Sequence, residues 1–243
     1  MNPKATLISW TDKPCEVIYW AFMNMHNSIP DDLSKITLSK EEISDFMNML
    51  IKIPHQTVFE FVNTVWFFEG VSRAFQQQLT RTRQASYSIQ SLRIVDAGSF
   101  AKEKRYYIPP SIERNETAKL MYMDTMSFLE MRYDILKSFA GVKIEDARGI
   151  LPLNIQSPIT ESINLRSLYH LVELRLCNNA QGEFKDISSQ MVEEVKSKLG
   201  EELARPMRPI CFSSGICQSP VPCEKYGFKK SFENVDVSRW IKG

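Results

Sequence analysis

The alternation of hydrophobic and polar positions predicts helices interrupted by a few short strands. Residues 6–10 form an apolar strand candidate, and residues 15–27 follow with apolar side chains at helical spacing. Ser39 and Glu42 stand three residues apart, which is the spacing of a capping box, so a second helix is predicted to begin after Ser39.

The middle of the chain carries its most apolar run. Bulky side chains occupy both alternation faces over residues 58–68, which predicts a strand that is covered on both sides. Glu60 lies inside this run, where its carboxylate either has a partner or points to water. Gly70 ends the pattern, and Ser72 is the predicted N-cap of a helix that runs to about Arg81.

In the rest of the chain, apolar residues again recur mostly at helical spacing. Its order of elements favours an α+β fold, in which long helices pack with a small mixed or antiparallel sheet. The predicted elements are a long helix over 111–139, a short helix over 143–149, a strand over 155–163 that Pro158 places at an edge or bulge, a helix starting at Asn164, a helix over 180–199 and an irregular tail after Pro206.

Composition limits the kind of protein. The 243 residues are 43% hydrophobic and 24% charged, which is enough for a full core in one domain or in a domain with an appendage. The net charge of +1 argues against a nucleic-acid-coating surface, so any phosphate site must be a local concentration of arginine. No leader peptide and no apolar run near the ~20 residues of a membrane span is evident, so a cytoplasmic protein without membrane contact is expected.

The five cysteines do not form a recognisable framework. An odd number in a chain without a secretion signal speaks against structural disulfides. Cys211, Cys217 and Cys223 form an even ladder with five residues between neighbours. Zinc sites usually pair ligands at shorter spacing and need four of them, so we expect incidental reduced thiols and no metal, with zinc as the alternative.

The segment RTRQASYSIQSLR, residues 81–93, contains three arginines and three serines but no acidic residue. A guanidinium needs an anionic or carbonyl partner when it is buried, and its forked donors match phosphate oxygens. The segment, placed after a predicted helix, is therefore either a phosphate-binding loop or a solvated basic turn. The chain contains no P-loop, GxSxG, HExxH or GxGxxG motif that would indicate another chemistry.

The spacing in this segment resembles the RHRxxSxNxxSxR signature of the flavin-dependent thymidylate synthases. Arg81, Arg83, Ser86, Ser91 and Arg93 occupy the corresponding positions. The similarity continues in family order on both sides. Further matching segments are Ser72 to Gln78, PHQT with Phe59 and Glu60, Arg148 with LPLN at 151–154, Asn164 with Arg166 and Ser167, Arg175, and AQGE at 180–183.

The resemblance implies an enzyme that methylates deoxyuridylate (dUMP) at C5 to give dTMP. It implies FAD as cofactor, 5,10-methylenetetrahydrofolate as carbon donor and NADPH as reductant, with the flavin carrying the difficult chemistry. It further implies a single catalytic domain, over residues 1–209, that forms a homotetramer with sites shared between subunits. Residues 210–243 would be an irregular, cysteine-containing extension.

The same resemblance implies roles for individual residues. Arg175 and Ser91 are expected at the reacting pyrimidine, where Arg175 would stabilise negative charge on the ring. The residues expected to hold the flavin and folate are His55, Thr57, Glu60, Arg81, Thr82, Arg83, Ser88, Asn164, Arg166 and His170. The residues expected to bind the nucleotide are Gln78, Gln90, Ser91, Arg93, Arg148 and Arg175, with Arg93 and Arg148 on the phosphate.

Three positions depart from the family signature. Thr82 replaces a histidine, Ser88 replaces an asparagine, and Ile89 stands where many members carry glutamate. Each lost polar contact weakens binding by about 1 kcal/mol. Two alternatives therefore stay open, namely a related flavoenzyme that methylates or hydroxymethylates another pyrimidine nucleotide, and a non-catalytic nucleotide-binding or RNA-binding relative.

Overall fold

The chain folds into two compact units. A computed structural model describes residues 1–26, 32, 37–53, 56–219, 221–223 and 225–228. One unit is formed by residues 1–11 and 63–164, and the other by residues 12–62 and 165–243. The single catalytic domain over 1–209 and the extension over 210–243 stay predictions.

The first unit is built on an antiparallel sheet of four described strands, in the order β1-β2-β4-β3. Lys4 pairs with Glu69, Asn63 with Asn164, and Ala85 with Ile163, which fixes the three registers. The mixture of helices with a small antiparallel sheet confirms the predicted α+β class. The strands are β1 (Lys4–Trp10), β2 (Asn63–Glu69), β3 (Ala85–Ile89) and β4 (Ile159–Asn164).

Helices complete the first unit around a buried cluster that includes Phe100, Met126 and Tyr133. Ser72 caps the first of these helices, because its Oγ accepts a hydrogen bond from the Phe75 amide at 3.0 Å, as predicted. The helices are α3 (Arg73–Leu79), α4 (Pro110–Glu113), α5 (Glu116–Ser138), α6 (Ile144–Ala147) and the 3₁₀ helix Arg148–Ile150.

The named elements of the second unit, within the described residues, are all helices. The predicted capping box is confirmed, since Ser39 N donates to Glu42 Oε2 at 2.8 Å and Glu42 N donates to Ser39 Oγ at 3.2 Å. The elements are α1 (Pro14–Met25), α2 (Lys40–Leu50), the 3₁₀ helix Gln56–Phe61, α7 (Leu165–Arg175), α8 (Gly182–Lys198), α9 (Glu201–Ala204) and α10 (Ile210–Ser214). Among the described helices, none has the length and hydrophobicity to cross a bilayer.

Two predicted strands differ from the observed ones. The apolar run over 58–68 is a 3₁₀ helix as far as Phe61 and a strand only from Asn63, because an apolar run alone does not distinguish the two conformations. The strand predicted at a sheet edge is β4, which lies between β2 and β3. Pro158 precedes its first residue and so removes no donor from the ladder.

The helix predicted over 111–139 is two helices. α4 ends at Glu113, and Asn115 starts α5 as its N-cap, with Oδ1 accepting a hydrogen bond from Ala118 N at 3.1 Å. Asn is favoured at this position because its side chain satisfies an amide that has no partner inside the helix. The continuous apolar spacing concealed this break.

Candidate functional site

The arginine segment leaves α3 as a turn and continues as strand β3. The expectation of a loop along the whole segment is wrong, because residues 85–89 pair with β4. Arg81 and Arg83 lie exposed in the turn, and neither side chain has a hydrogen bond or ion pair to any described residue. Two unpaired guanidiniums on one turn are available to an anionic ligand.

Tyr87 fixes the conformation of this turn. Its hydroxyl oxygen lies 2.9 Å from the main-chain oxygens of both Leu79 and Thr82. Thr82, which replaces the histidine of the family signature, is thus held through its backbone, and its side chain is partly buried. Tyr87 lies opposite Glu161 in the β3–β4 register.

Glu161 is fully buried on β4, the strand that pairs with the arginine segment. Burial raises the pKa of its carboxyl group to about 8. The nearby Tyr87 hydroxyl opposes this shift in part, although that hydroxyl is directed at two carbonyl oxygens and neither Glu161 oxygen makes a well-formed hydrogen bond within the described residues. The carboxyl group of Glu161 therefore keeps its proton to a much higher pH than an exposed glutamate does.

Two of the predicted nucleotide-binding residues meet at Glu145. Arg93 Nη2 lies 2.7 Å from Glu145 Oε2, and Arg148 Nε donates to the Glu145 main-chain oxygen at 3.1 Å. Ser91 is exposed in the turn before Arg93, and its Oγ accepts a hydrogen bond from Arg93 N at 3.3 Å. Arg148, Arg93 and Ser91 thus belong to one continuous region of the first unit.

Arg148 also borders a cavity of about 210 Å³. Arg73 lines the same cavity, and its pKa is lowered first by burial and then by the positive charge of Arg148. Two guanidiniums on the lining of one cavity favour the binding of an anion there. The described lining contains no carboxylate and consists of Arg73, Gln77, Leu92, Arg148, Gly149, Leu151, Pro152, Leu153 and Ile155.

Arg73 was not predicted as a site residue. Its sequence signal is weak, because it stands at the first position after a helix cap, where a charged residue is usually solvated. Only the fold shows that the start of α3 faces the segment around Arg148. The amides of Arg73 and Ala74 donate to the Ile155 and Leu153 carbonyls, each at 3.0 Å, and so fix that arrangement.

The remaining predicted residues of the first unit lie around β3 and β4. Ser88 is exposed on β3 opposite Thr160, and Asn164 ends β4. Gln90 follows β3, and its amide donates to the Pro158 oxygen at 3.3 Å. Gln78 lies in the last turn of α3 and does not line the 210 Å³ cavity.

In the second unit, α7 presents Arg166 and His170 one turn apart. Both are exposed and border a cavity of about 300 Å³. Arg166 Nη1 forms an ion pair with Glu60 Oε1, so Glu60 has a partner and still contacts solvent. Thr57 is exposed on the same 3₁₀ helix, while His55 lies outside the described residues. The cavity is lined by Ile51, Gln56, Phe59, Arg166, Tyr169, His170, Glu173, Pro206, Arg208 and Ser213.

Arg175 ends α7 and is separate from the lining of that cavity. Its guanidinium carbon lies 4.6 Å from the ring centroid of Phe184, a fully buried residue of α8. Burial lowers the pKa of Arg175. A partly buried cation stacked on an aromatic ring is held in orientation and interacts strongly with a nearby negative charge.

Comparison of the sequence with known proteins identifies related enzymes. The sequence pattern of the family described as "Thymidylate synthase complementing protein" matches residues 6–199. The chain is 30% identical to the flavin-dependent thymidylate synthase of Clostridium tetani, over 93% of this chain and 94% of the relative. It is also 30% identical to the enzyme of the same name from Pyrococcus abyssi, over 98% and 97%.

Solved structures agree on the fold. Thymidylate synthase X (ThyX) from Helicobacter pylori, crystallised with FAD and dUMP, superimposes with a TM-score of 0.66 at 21% identity, covering 84% of this chain and 99% of that one. The UMP/dUMP methylase PolB from Streptomyces cacaoi, bound with 5-Br dUMP, gives 0.69 at 17% identity, covering 84% and 94%. These define a ThyX-like enzyme fold. The chain belongs to the flavin-dependent thymidylate synthase family, which confirms the resemblance found in its signature.

Proposed function

We propose that this protein catalyses the FAD-dependent reductive methylation of dUMP at C5 to dTMP. The carbon comes from 5,10-methylenetetrahydrofolate, and NADPH is the reductant. One observation carries the proposal: Arg73 and Arg148 border a single cavity, and Arg93 joins them through Glu145. Family membership supports it, as do the FAD and dUMP bound to the H. pylori relative.

The nucleotide phosphate is the anion that this cavity fits. Arg148 and Arg73 would bind it from two sides, and Arg93 would exchange its exposed ion pair with Glu145 for the phosphate. An exposed ion pair is worth at most about 1 kcal/mol, so this exchange costs little. Ser91, Gln78 and Gln90 would bind the nucleoside.

The residues present also fit a flavin dinucleotide. Arg81 and Arg83 offer unpaired guanidiniums to its pyrophosphate. In the second unit, Arg166 and His170 border a cavity with aromatic walls. Thr57, Glu60, Thr82, Ser88, Asn164 and His55 complete the proposed set for FAD and folate. When bound, FAD supplies the reducing equivalents of the reaction.

Arg175 would stabilise the uracil ring as it becomes nucleophilic at C5. Negative charge then develops on the pyrimidine, and a preorganised cation lowers the energy of that state. The Phe184 ring holds the guanidinium, so little reorganisation is needed. Ser91 would position the nucleotide and would take no part in proton transfer.

A homotetramer is part of the proposal. α5 in the first unit exposes large apolar side chains within one side of the helix, where a monomer would leave them in water. A second copy of the chain is the partner we propose for this surface. The exposed residues are Leu120, Met121, Phe128, Met131 and Ile135.

The test combines a spectrum with a product assay. Purified protein should show flavin absorbance, and mixing with dUMP, methylenetetrahydrofolate and NADPH should yield dTMP by mass spectrometry. Protein that binds FAD but methylates nothing would overturn the proposal. Colourless protein that takes up no added FAD would instead favour a non-catalytic binding relative.

A second function follows from the changed signature. Thr82 engages Tyr87 through its backbone, and Ser88 is exposed on β3, so the segment 81–93 presents neither an imidazole nor an amide side chain at those two positions. We propose as the alternative a related flavoenzyme that methylates or hydroxymethylates another pyrimidine nucleotide. Mass spectrometry on a panel of dUMP, UMP and dCMP identifies both the accepted nucleotide and the added group.

A further inference from the structure

One wall of the 300 Å³ cavity in the second unit comes from residues beyond the family match. The family pattern ends at residue 199, whereas Pro206, Arg208 and Ser213 line the cavity together with residues of α7. Pro206 and Arg208 lie between α9 and α10, and Ser213 lies within α10. The segment 206–213 is therefore a part of this site to which family membership assigns no role.

Packing holds this segment against α7. Leu203 of α9 is fully buried, and the hydroxyl of Tyr169 on α7 donates to its main-chain oxygen at 2.9 Å. Ser213 Oγ donates to Glu173 Oε1, also on α7, at 2.6 Å. Contacts on both sides of Arg208 in the chain thus fix the backbone from which its side chain extends.

The guanidinium of Arg208 is available to a ligand. Its side chain is exposed and makes no hydrogen bond or ion pair with any residue that the structure describes. Arg166, which lines the same cavity, is already paired with Glu60. The Glu173 carboxylate in turn accepts the hydroxyl of Ser213. An anion that enters this cavity can therefore bind Arg208 without breaking an existing ion pair.

The anionic groups of the proposed ligands indicate which anion this is. The dUMP phosphate is assigned to Arg148 and Arg73, and the flavin pyrophosphate to Arg81 and Arg83, all of them in the first unit. The glutamyl tail of methylenetetrahydrofolate carries two further carboxylates, for which these arginines leave no cation. The forked donors of a guanidinium match a carboxylate.

We propose that Arg208 binds a glutamyl carboxylate of the folate co-substrate in this cavity. The lining is aromatic in part, since Phe59 and Tyr169 pack edge to face with ring centroids 5.3 Å apart. It therefore offers apolar contact to the aminobenzoyl ring that carries the glutamate. A volume of about 300 Å³ is at the small end for ligand sites and suits this part of folate. The identity of the ligand rests on the proposed thymidylate synthase function.

Binding of a folate with and without its tail charges is the direct test. Full-length protein is dialysed anaerobically against tetrahydrofolate, or against the analogue in which both glutamyl carboxylates are amides. Wild type should bind tetrahydrofolate about fivefold or more tightly than the diamide, and the difference should shrink at high salt because the contact is exposed. Equal affinity for the two compounds overturns the proposal, and this comparison needs no variant.

Arg208→Gln should lose this discrimination. It should bind both compounds equally, whereas the control Arg114→Gln, which also replaces an exposed arginine, should discriminate as wild type does. Arg208→Lys keeps the charge and should restore part of the preference for tetrahydrofolate. Full discrimination by Arg208→Gln would place the carboxylates on another cation and refute the role of Arg208.

Kinetic constants separate folate from the other anionic co-substrate. In Arg208→Gln the KM for methylenetetrahydrofolate should rise about fivefold, while kcat, flavin content and the KM for NADPH stay at their wild-type values. A rise confined to the KM for NADPH would identify its phosphates as the ligand and overturn the assignment. Protein that forms no dTMP yet prefers tetrahydrofolate to its diamide would contradict the proposed function alone.

Discussion

Glu161→Gln should change how stability depends on pH. Glu161 lies on β4 between Trp66 of β2 and Tyr87 of β3, is fully buried, and has a carboxyl pKa raised to about 8 by burial. Glutamine has nearly the same shape and no proton to lose. The substitution therefore removes a titration with little change in packing.

The magnitude follows from proton linkage. An unfolded chain loses the Glu161 proton near the ordinary value of 4.5, whereas the folded protein keeps it to about 8. Between these values the folded state binds more protons, so the free energy of unfolding falls as pH rises. Each pH unit is worth ~1.4 kcal/mol, so the whole window amounts to at most about 5 kcal/mol.

Urea unfolding at about pH 5 and about pH 8.5, at fixed protein concentration, measures this difference. Wild type should lose several kcal/mol between the two conditions through this site, whereas Glu161→Gln should lose much less and be the more stable protein at the higher pH. The control is Glu69→Gln on β2, whose carboxylate makes only an exposed 3.7 Å ion pair with Lys4. It should keep the wild-type pH slope and change stability by less than about 1 kcal/mol.

Two results would refute this reasoning. The first is a Glu161→Gln variant that keeps the wild-type slope, because another group would then carry the titration. The second is wild-type stability that does not fall across the window, because Glu161 would then ionise without cost in the folded protein. This second result would mean that a nearby group stabilises the charged Glu161 carboxylate in the folded protein.

Three further substitutions test the site and the fold. Arg175→Ala should abolish dTMP formation while bound flavin, measured by absorbance, stays largely intact, and unchanged turnover would contradict its role. Arg148→Ala should raise the KM for dUMP by about tenfold or more, as expected for a lost charge-assisted hydrogen bond, whereas Arg114→Ala, at the exposed end of α4, should not. Ser39→Ala should lower the free energy of unfolding by about 1 kcal/mol in urea titrations, because the Glu42 amide loses its cap; no measurable loss would show that water replaces the cap.

Local features of the site could be predicted because they depend on neighbouring residues. The caps at Ser39 and Ser72 were visible as short-range patterns and are confirmed by hydrogen bonds. The signature arginines were visible as spacing, and Arg148 indeed lies next to a cavity with a second arginine. Spacing could not reveal that β3 forms in the middle of the signature, since pairing with β4 involves residues seventy or more positions away.

The sequence by itself therefore determined the family, the α+β class, most helix starts and the arginines available for phosphate. Only the tertiary structure decided which distant groups share one environment: Arg73 and Arg148 line one cavity, and Glu161 lies opposite Tyr87 on the neighbouring strand. The physical reason is that helix caps and periodicity are set within a few residues. Burial and charge coupling are set by long-range packing.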